Sequence, residues 1–140
     1  MHEIDKQTKQ VRAGIYARSA TKDPSAIDRQ IANCKQIAYE YGWELDDRYI
    51  FQDDPCSGMK TAGRPGFDQL LTAVQDQTRP INVLLVEEGS RLGRDLRRVV
   101  EILDMFTACG VSVYIAETKL ELSGPTGRQF FKSAGFVDNY

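Results

Sequence analysis

At 140 residues the chain has the length of one domain and can bury a core without a disulfide or a metal. Its composition, 41% apolar and 27% charged, excludes a disordered polypeptide. No apolar run reaches membrane-spanning length, and the polar start Met1-His2-Glu3-Ile4-Asp5 is no signal peptide, so no membrane partner is expected. A net charge of −2 excludes tight, sequence-independent DNA binding by the surface at large, because such binding rests on phosphate neutralisation by Lys and Arg.

The N-terminal arm, residues 1–10, is polar and without periodicity. Val11 to Arg18 alternates, with Val11, Ala13, Ile15 and Ala17 on one face and Tyr16 and Arg18 on the other, and reads as a first strand. Asp23 is a capping residue and Pro24 a good first helical position. Ile27, Ile31, Cys34, Ile37, Ala38 and Tyr41 then recur at helical spacing up to Gly42. Leu45 to Gln52 is a second strand. The stretch from Asp53 to Gly63 is a loop broken by Pro55, Gly58 and Gly63, in which Asp53 and Asp54 read as turn residues. Phe67, Leu70, Leu71 and Val74 form the stripe of a second helix.

Ile81 to Val86 is a continuous apolar run, the pattern of a strand buried on both faces of a parallel sheet. Gly89 to Arg94 is a turn, Asp95 to Cys109 a third helix, and Val111 to Ala116 a fourth strand. Leu120 to Thr126 reads as a loop, and Gly127 onward opens a further helix. This order predicts an α/β fold: a mostly parallel sheet of four to five strands with helices on both faces, joined by right-handed crossovers.

Ligands of such sheets sit at the carboxyl ends of the strands. There the sequence places Arg18 with Ser19, Ala20 and Thr21 after the first strand, Arg64 after the second, and Ser90, Arg91 and Arg94 after the third. Four guanidiniums beside a hydroxyl suit the clamping of a phosphodiester while an alcohol attacks phosphorus. The competing reading treats lone arginines as solubilising charges, which is how Arg97 and Arg98 are read, and treats Ser19, Thr21 or Ser25 as helix caps. His2 is the single histidine and no carboxylates show ligand spacing, so neither metal nor cofactor is expected. Cys34, Cys56 and Cys109 form no CxxC pair and read as free thiols of a cytoplasmic protein.

These residues carry a resemblance. Tyr16-x-Arg18, Gln30, Ser57-Gly58, Gly63-Arg64-Pro65-Gly66-Phe67 and Ser90-Arg91-Leu92-Gly93-Arg94-Asp95 together resemble the resolvase/invertase family of serine recombinases, from about Arg12 to Glu117. Gly135-Phe136-Val137-Asp138 incline the resemblance towards the large serine recombinases. It implies a resolvase-like three-layer catalytic domain over 11–140 that ends before the helix and the DNA-reading part which complete the family's proteins. It implies DNA as partner, with dimers and DNA-bound tetramers of the full-length protein, and a monomer or weak dimer for these residues. It further implies strand cleavage through a 5′-phosphoserine link that leaves a free 3′-hydroxyl, the bond energy being kept in the phosphoserine so that no nucleotide is consumed.

By the same resemblance Arg18, Arg64, Arg91 and Arg94 hold the scissile phosphate, while Tyr16, Ala20, Gln30 and Ser90 line it. The family's nucleophile stands two residues after the arginine matched by Arg18. That place is Ala20, with Ser19 one residue earlier, so either Ser19 acts through a shifted loop or the hydroxyl is lost. Ser90 stands where many members carry an aspartate, and Ala73 where small resolvases often carry a lysine. Loss of the hydroxyl gives the alternative of a catalytically inactive, recombinase-like DNA-binding or regulatory subunit. A receiver domain fits poorly, because Arg18-Ser19-Ala20 and Glu87-Glu88-Gly89 stand where its acidic residues belong; a flavodoxin-like domain fits poorly because Ala20-Thr21-Lys22-Asp23 makes a weak phosphate loop.

Overall fold

The structure is a computed structural model that describes residues 10–19, 23–53, 64–93 and 95–123. The expected N-terminal arm, Ala20, the Ser57-Gly58 pair, Gly63, Arg94, the helix proposed from Gly127 and the Gly135–Asp138 run lie outside the described residues, Gln10 of the arm excepted.

The elements are β1 (Arg12–Arg18), α1 (Pro24–Tyr41), β2 (Glu44–Asp53), α2 (Pro65–Gln75), β3 (Val83–Val86), a 3-10 turn (Gly89–Arg91), α3 (Leu96–Ala108), β4 (Ser112–Ile115) and β5 (Leu120–Leu122). They form one five-stranded sheet in the order β2-β1-β3-β4-β5. β1 runs parallel to β2 and β3, and β3 parallel to β4. β5 runs antiparallel to β4, pairing Val113 with Leu122 and Ile115 with Leu120. This corrects the reading of Leu120 onward as loop: three residues give too short an alternation to register as a strand, and pairing with β4 is what orders them. The sheet therefore has the upper number of strands expected.

The strand order dictates the layers. From β1 the chain steps outward to β2, then returns past β1 to β3. Right-handed crossovers in opposite directions place their helices on opposite faces. α1 accordingly packs with Ala13, Ile15, Val83, Leu85 and Tyr114 through Cys34 and Ala38. The other face holds the larger core, where Tyr16, Leu84, Val86 and Val113 meet Phe67, Leu70 and Val74 of α2 and Val99, Ile102 and Phe106 of α3. β1 is thus buried on both faces despite its alternating look, because each face has a helix layer of its own. The reversal also opens a crevice between the carboxyl ends of β1 and β3, the switch point at which doubly wound sheets take ligands.

Local chemistry sets the helix ends. Asp23 caps α1 through the Ser25 amide, and Gly42 closes it at φ 73° with its N–H on the carbonyls of Ala38 and Tyr39. Tyr41, counted in the apolar stripe of α1, is exposed; it stacks on Trp43 at 4.7 Å and shares a 3.0 Å hydroxyl contact with Tyr114. Cys34 is buried, and desolvation pushes its thiol up to about 12, so it behaves as a small apolar side chain.

Gly66 allows a close approach between α2 and β2. A Cβ there would overlap the Gln52 carbonyl, meeting its carbon at 2.8 Å. Gln52 is backbone of β2, held in register against Ala17 of β1, and cannot swing aside as a flexible side chain could. Gly66→Ala is therefore expected to destabilise the fold by about 1–3 kcal/mol in urea unfolding, the range for overpacking. A change within about 0.5 kcal/mol, the scale of an indifferent surface substitution, would show that α2 stands off from β2.

Candidate active site at the carboxyl edge of the sheet

Asp53 organises the edge. It is the last residue of β2, 6% exposed and not a turn residue as its sequence context suggests. Its carboxylate accepts from the Gly66 and Phe67 amides at 2.7 and 2.9 Å and from the Tyr16 hydroxyl at 2.7 Å. Those amides belong to the second and third residues of α2, the donors that an N-cap side chain ordinarily satisfies. The residue in the N-cap position is Arg64, whose side chain makes no cap bond. The cap comes from the neighbouring strand, and Arg64 is left free to do something else.

Every residue of the Arg64-Pro65-Gly66-Phe67 run then has a physical task. Pro65 takes the first helical position, where no N–H is needed. Gly66 lets the helix reach Asp53. Phe67 lies under the Arg64 guanidinium, 4.0 Å from its ring centroid, and meets Tyr16 edge-on at 5.4 Å. Arg64 also donates to the Leu92 carbonyl from Nη1 at 3.4 Å and from Nη2 at 3.3 Å. Its head is held by a ring beneath and a carbonyl beside it.

The electrostatics follow from that placement. Burial is the main effect lowering the Arg64 pKa; the positive charges of Arg18 and Arg98 act the same way, whereas Tyr16 and Asp53 oppose it. A guanidinium so treated stays charged but is poorly solvated, which favours an incoming anion. Burial first, then the bond to Asp53, raises the Tyr16 phenol well above its ordinary value, so it remains a hydrogen-bond donor.

Arg18 ends β1 directly opposite Asp53. Gln30, 3% exposed, brackets it, accepting from the Arg18 amide at 3.1 Å and donating to the Arg18 carbonyl at 2.8 Å. Both ends of the Gln30 amide are thus used on backbone, and the side chain fits holding Arg18 in place rather than lining a ligand. Ser19 follows and is 6% exposed.

On the far side of the crevice Glu88 accepts from Ser90 Oγ at 2.9 Å and from Arg91 Nη2 at 2.8 Å. Arg91 Nε is buried and has no hydrogen-bond partner among the described residues. Such a donor costs about 1–3 kcal/mol unless something accepts from it.

The structure therefore brings Tyr16, Arg18, Gln30, Arg64, Ser90 and Arg91 to one edge. Sequence reasoning missed Asp53 and Glu88. Asp53 was hidden by its Asp-Asp-Pro context, and Glu88 by looking only for departures from a receiver. A cavity of about 520 Å³ beside the edge is lined by Glu40, Glu87, Glu88 and Glu117. Carboxylates of one sign repel phosphate, so this flank is unsuited to an anion. Among the described residues no cluster of His, Cys, Asp and Glu could hold a metal, and no helix is long and apolar enough to cross a membrane.

Comparison with known proteins decides the family. The N-terminal domain of resolvases matches residues 13–140. The chain belongs to the resolvase family. Over 119 residues it is 24% identical to the serine recombinases PinR and PinQ of Escherichia coli strain K12, covering 83% of this chain and 58% of theirs. The chain thus spans little more than half the length of these curated relatives. Its fold matches that of the N-terminal catalytic domain of TP901-1 integrase, with TM-score 0.71 and 22% identity over 91% of this chain and 94% of the other. It likewise matches a resolvase family site-specific recombinase from Streptococcus pneumoniae, with TM-score 0.77 and 17% identity over 93% and 89%. The resolvase-like α/β sheet expected from the sequence is the one found.

Replacing the Asp53 carboxylate tests its organising role in this resolvase domain. Asp53→Asn would turn an N–H towards donors that already point inward, and should destabilise by about 1.5–3 kcal/mol, the scale for hydrogen bonds to a charged group. Tyr16→Phe should cost about 1 kcal/mol, since Asp53 keeps its two amide donors. Chemical denaturation of both variants checks the order; equal and negligible losses would contradict it.

Proposed function

We propose that the chain is the catalytic domain of a serine-type site-specific DNA recombinase, which cuts and rejoins DNA through a 5′-phosphoserine intermediate. The observation that carries this reading is the fixed position of Arg64 against the Leu92 carbonyl beside the Arg91 turn, within reach of the Arg18 charge, with Arg91 Nε buried and without a partner among the described residues. Guanidiniums held in place by ring, carbonyl and carboxylate contacts need little reorganisation as charge builds on phosphate oxygens, and such preorganisation is the largest electrostatic contribution available to phosphoryl transfer. In the proposed step a serine oxygen bonds to phosphorus and gives up its proton. The bond to the 3′-oxygen breaks, and that oxygen takes a proton to leave as a free hydroxyl. Rejoining runs the same exchange backwards on a new 3′-hydroxyl. Arg18, Arg64, Arg91 and Arg94 are assigned to the phosphate, Tyr16, Gln30 and Ser90 to positioning, and the cytoplasm is the compartment in which such an enzyme would meet DNA.

Ser19 is assigned as the nucleophile, through a shift of the segment that follows Arg18. Its burial also favours a second reading, in which Ala20 occupies the nucleophile's place and the protein is an inactive DNA-binding or regulatory subunit.

The test is denaturing electrophoresis of the full-length protein on a nicked duplex that carries its target site. The first reading expects covalent adducts that Ser19→Ala abolishes and that Arg64→Gln reduces about 10²-fold or more, the scale for loss of one preorganised donor. The second expects no adducts until Ala20→Ser restores the hydroxyl. Absence of adducts from the native sequence and from Ala20→Ser alike would overturn the recombinase assignment.

A further inference from the structure

We propose that Arg98, in the first turn of α3, is a second backbone contact that carries the bound DNA strand past the phosphate held by Arg18, Arg64 and Arg91. The proposal rests on the recombinase reading and extends the surface that reading assigns to DNA.

The geometry begins at Leu92, whose carbonyl accepts both Nη atoms of Arg64. The head of Arg64 therefore lies against the segment that leads into α3. That helix starts at Leu96, with Asp95 capping it through the Arg97 amide at 3.0 Å. The helix end is already capped, so the proposal concerns the Arg98 side chain and not the helix N-terminus. The first turn of α3 packs back on that segment, where a Cβ at Gly93 would meet Val99 Cγ2 at 3.4 Å, and the charge of Arg98 in that turn acts on Arg64, as the charge of Arg18 does. Arg64 thus feels one guanidinium from the end of β1 and another from the first turn of α3. The buried carboxylate nearest them, Asp53, is committed to Tyr16, Gly66 and Phe67.

What holds Arg98 in the free protein is weak. Its ion pair with Glu101 is 3.6 Å long, between side chains 61% and 60% exposed. Exposed pairs of this kind are worth at most about 1 kcal/mol and are screened by salt. A DNA phosphate offers the same guanidinium more charge and releases counterions as it binds. In a chain of net charge −2, a group of like charges whose buried carboxylate neighbour is already committed elsewhere is a local exception that a polyanion satisfies. Contacts of this sort fix register on the strand and carry no base information.

The experiment is fluorescence anisotropy of the chain with a short labelled duplex across a low-to-moderate salt series. Arg98→Gln should weaken binding about 3- to 10-fold at low salt and lower the slope of log K against log salt by about one, as loss of one phosphate contact does. Arg98→Lys should restore most of both, since either cation can take a phosphate. If Arg98→Gln keeps native affinity and slope while Arg64→Gln loses them, the inference is overturned and the recombinase reading stands. If neither substitution alters DNA binding, the arginine edge is not a DNA surface, and both fall.

Discussion

The Asp53 carboxylate is the interaction on which the rest of the edge depends. One buried anion at the end of β2 satisfies two helix amides and a tyrosine hydroxyl belonging to a different strand. Helix α2, strand β1 and strand β2 are therefore tied at a single point, and the side chain of the N-cap residue is released from capping. A protein that capped α2 locally, with Ser or Asp in place of Arg64, would gain the same backbone bonds and lose its best-placed cation. Supplying the cap from β2 resolves that conflict, and it requires the close approach that Gly66 permits.

From this point the charge distribution makes sense. The protein as a whole is slightly acidic, yet its carboxyl edge gathers Arg18, Arg64, Arg91 and Arg98. The neighbouring carboxylates are of two kinds. Asp53 and Glu88 are tied up in hydrogen bonds, Asp53 to α2 and Tyr16 and Glu88 to Ser90 and Arg91, whereas Glu40, Glu87 and Glu117 join Glu88 in lining the cavity on one flank. Such a distribution would offer a polyanion an attractive strip bounded by a repulsive one, orienting it without positive charge over the whole surface. Gln30 adds the mechanical counterpart by gripping the Arg18 backbone from both sides.

The sequence carried the fold because long-range order followed from local signals: the apolar run of β3, the capped helix after Asp23 and the glycine at its end. It did not carry β5, whose three residues are ordered by β4 and not by their own pattern. The arginines of the site were legible because each follows a strand. Their supports were less so. Asp53 looks like a turn residue until the helix it caps is seen in space, and Arg98 looks like a solvent charge until α3 is seen to start beside Arg64. The functional partners of Gln30 likewise lie on the backbone, where side-chain identity gives no hint. What single-sequence reading lacks is the distance between elements that crossovers bring together.

The central claim is that these arginines form one phosphate-binding edge, and arginine side-chain NMR during titration with a short DNA duplex tests it most directly. The Nε–Hε resonances of Arg18, Arg64 and Arg91 should shift together, with Arg91 responding strongly because its Nε gains an acceptor. Arg12, Arg48 and Arg79, two of which line a cavity with Glu44 and Asp46 at the opposite end of the sheet, should stay in place. Shifts concentrated at Arg12 and Arg48, with Arg64 and Arg91 unmoved, would contradict the account.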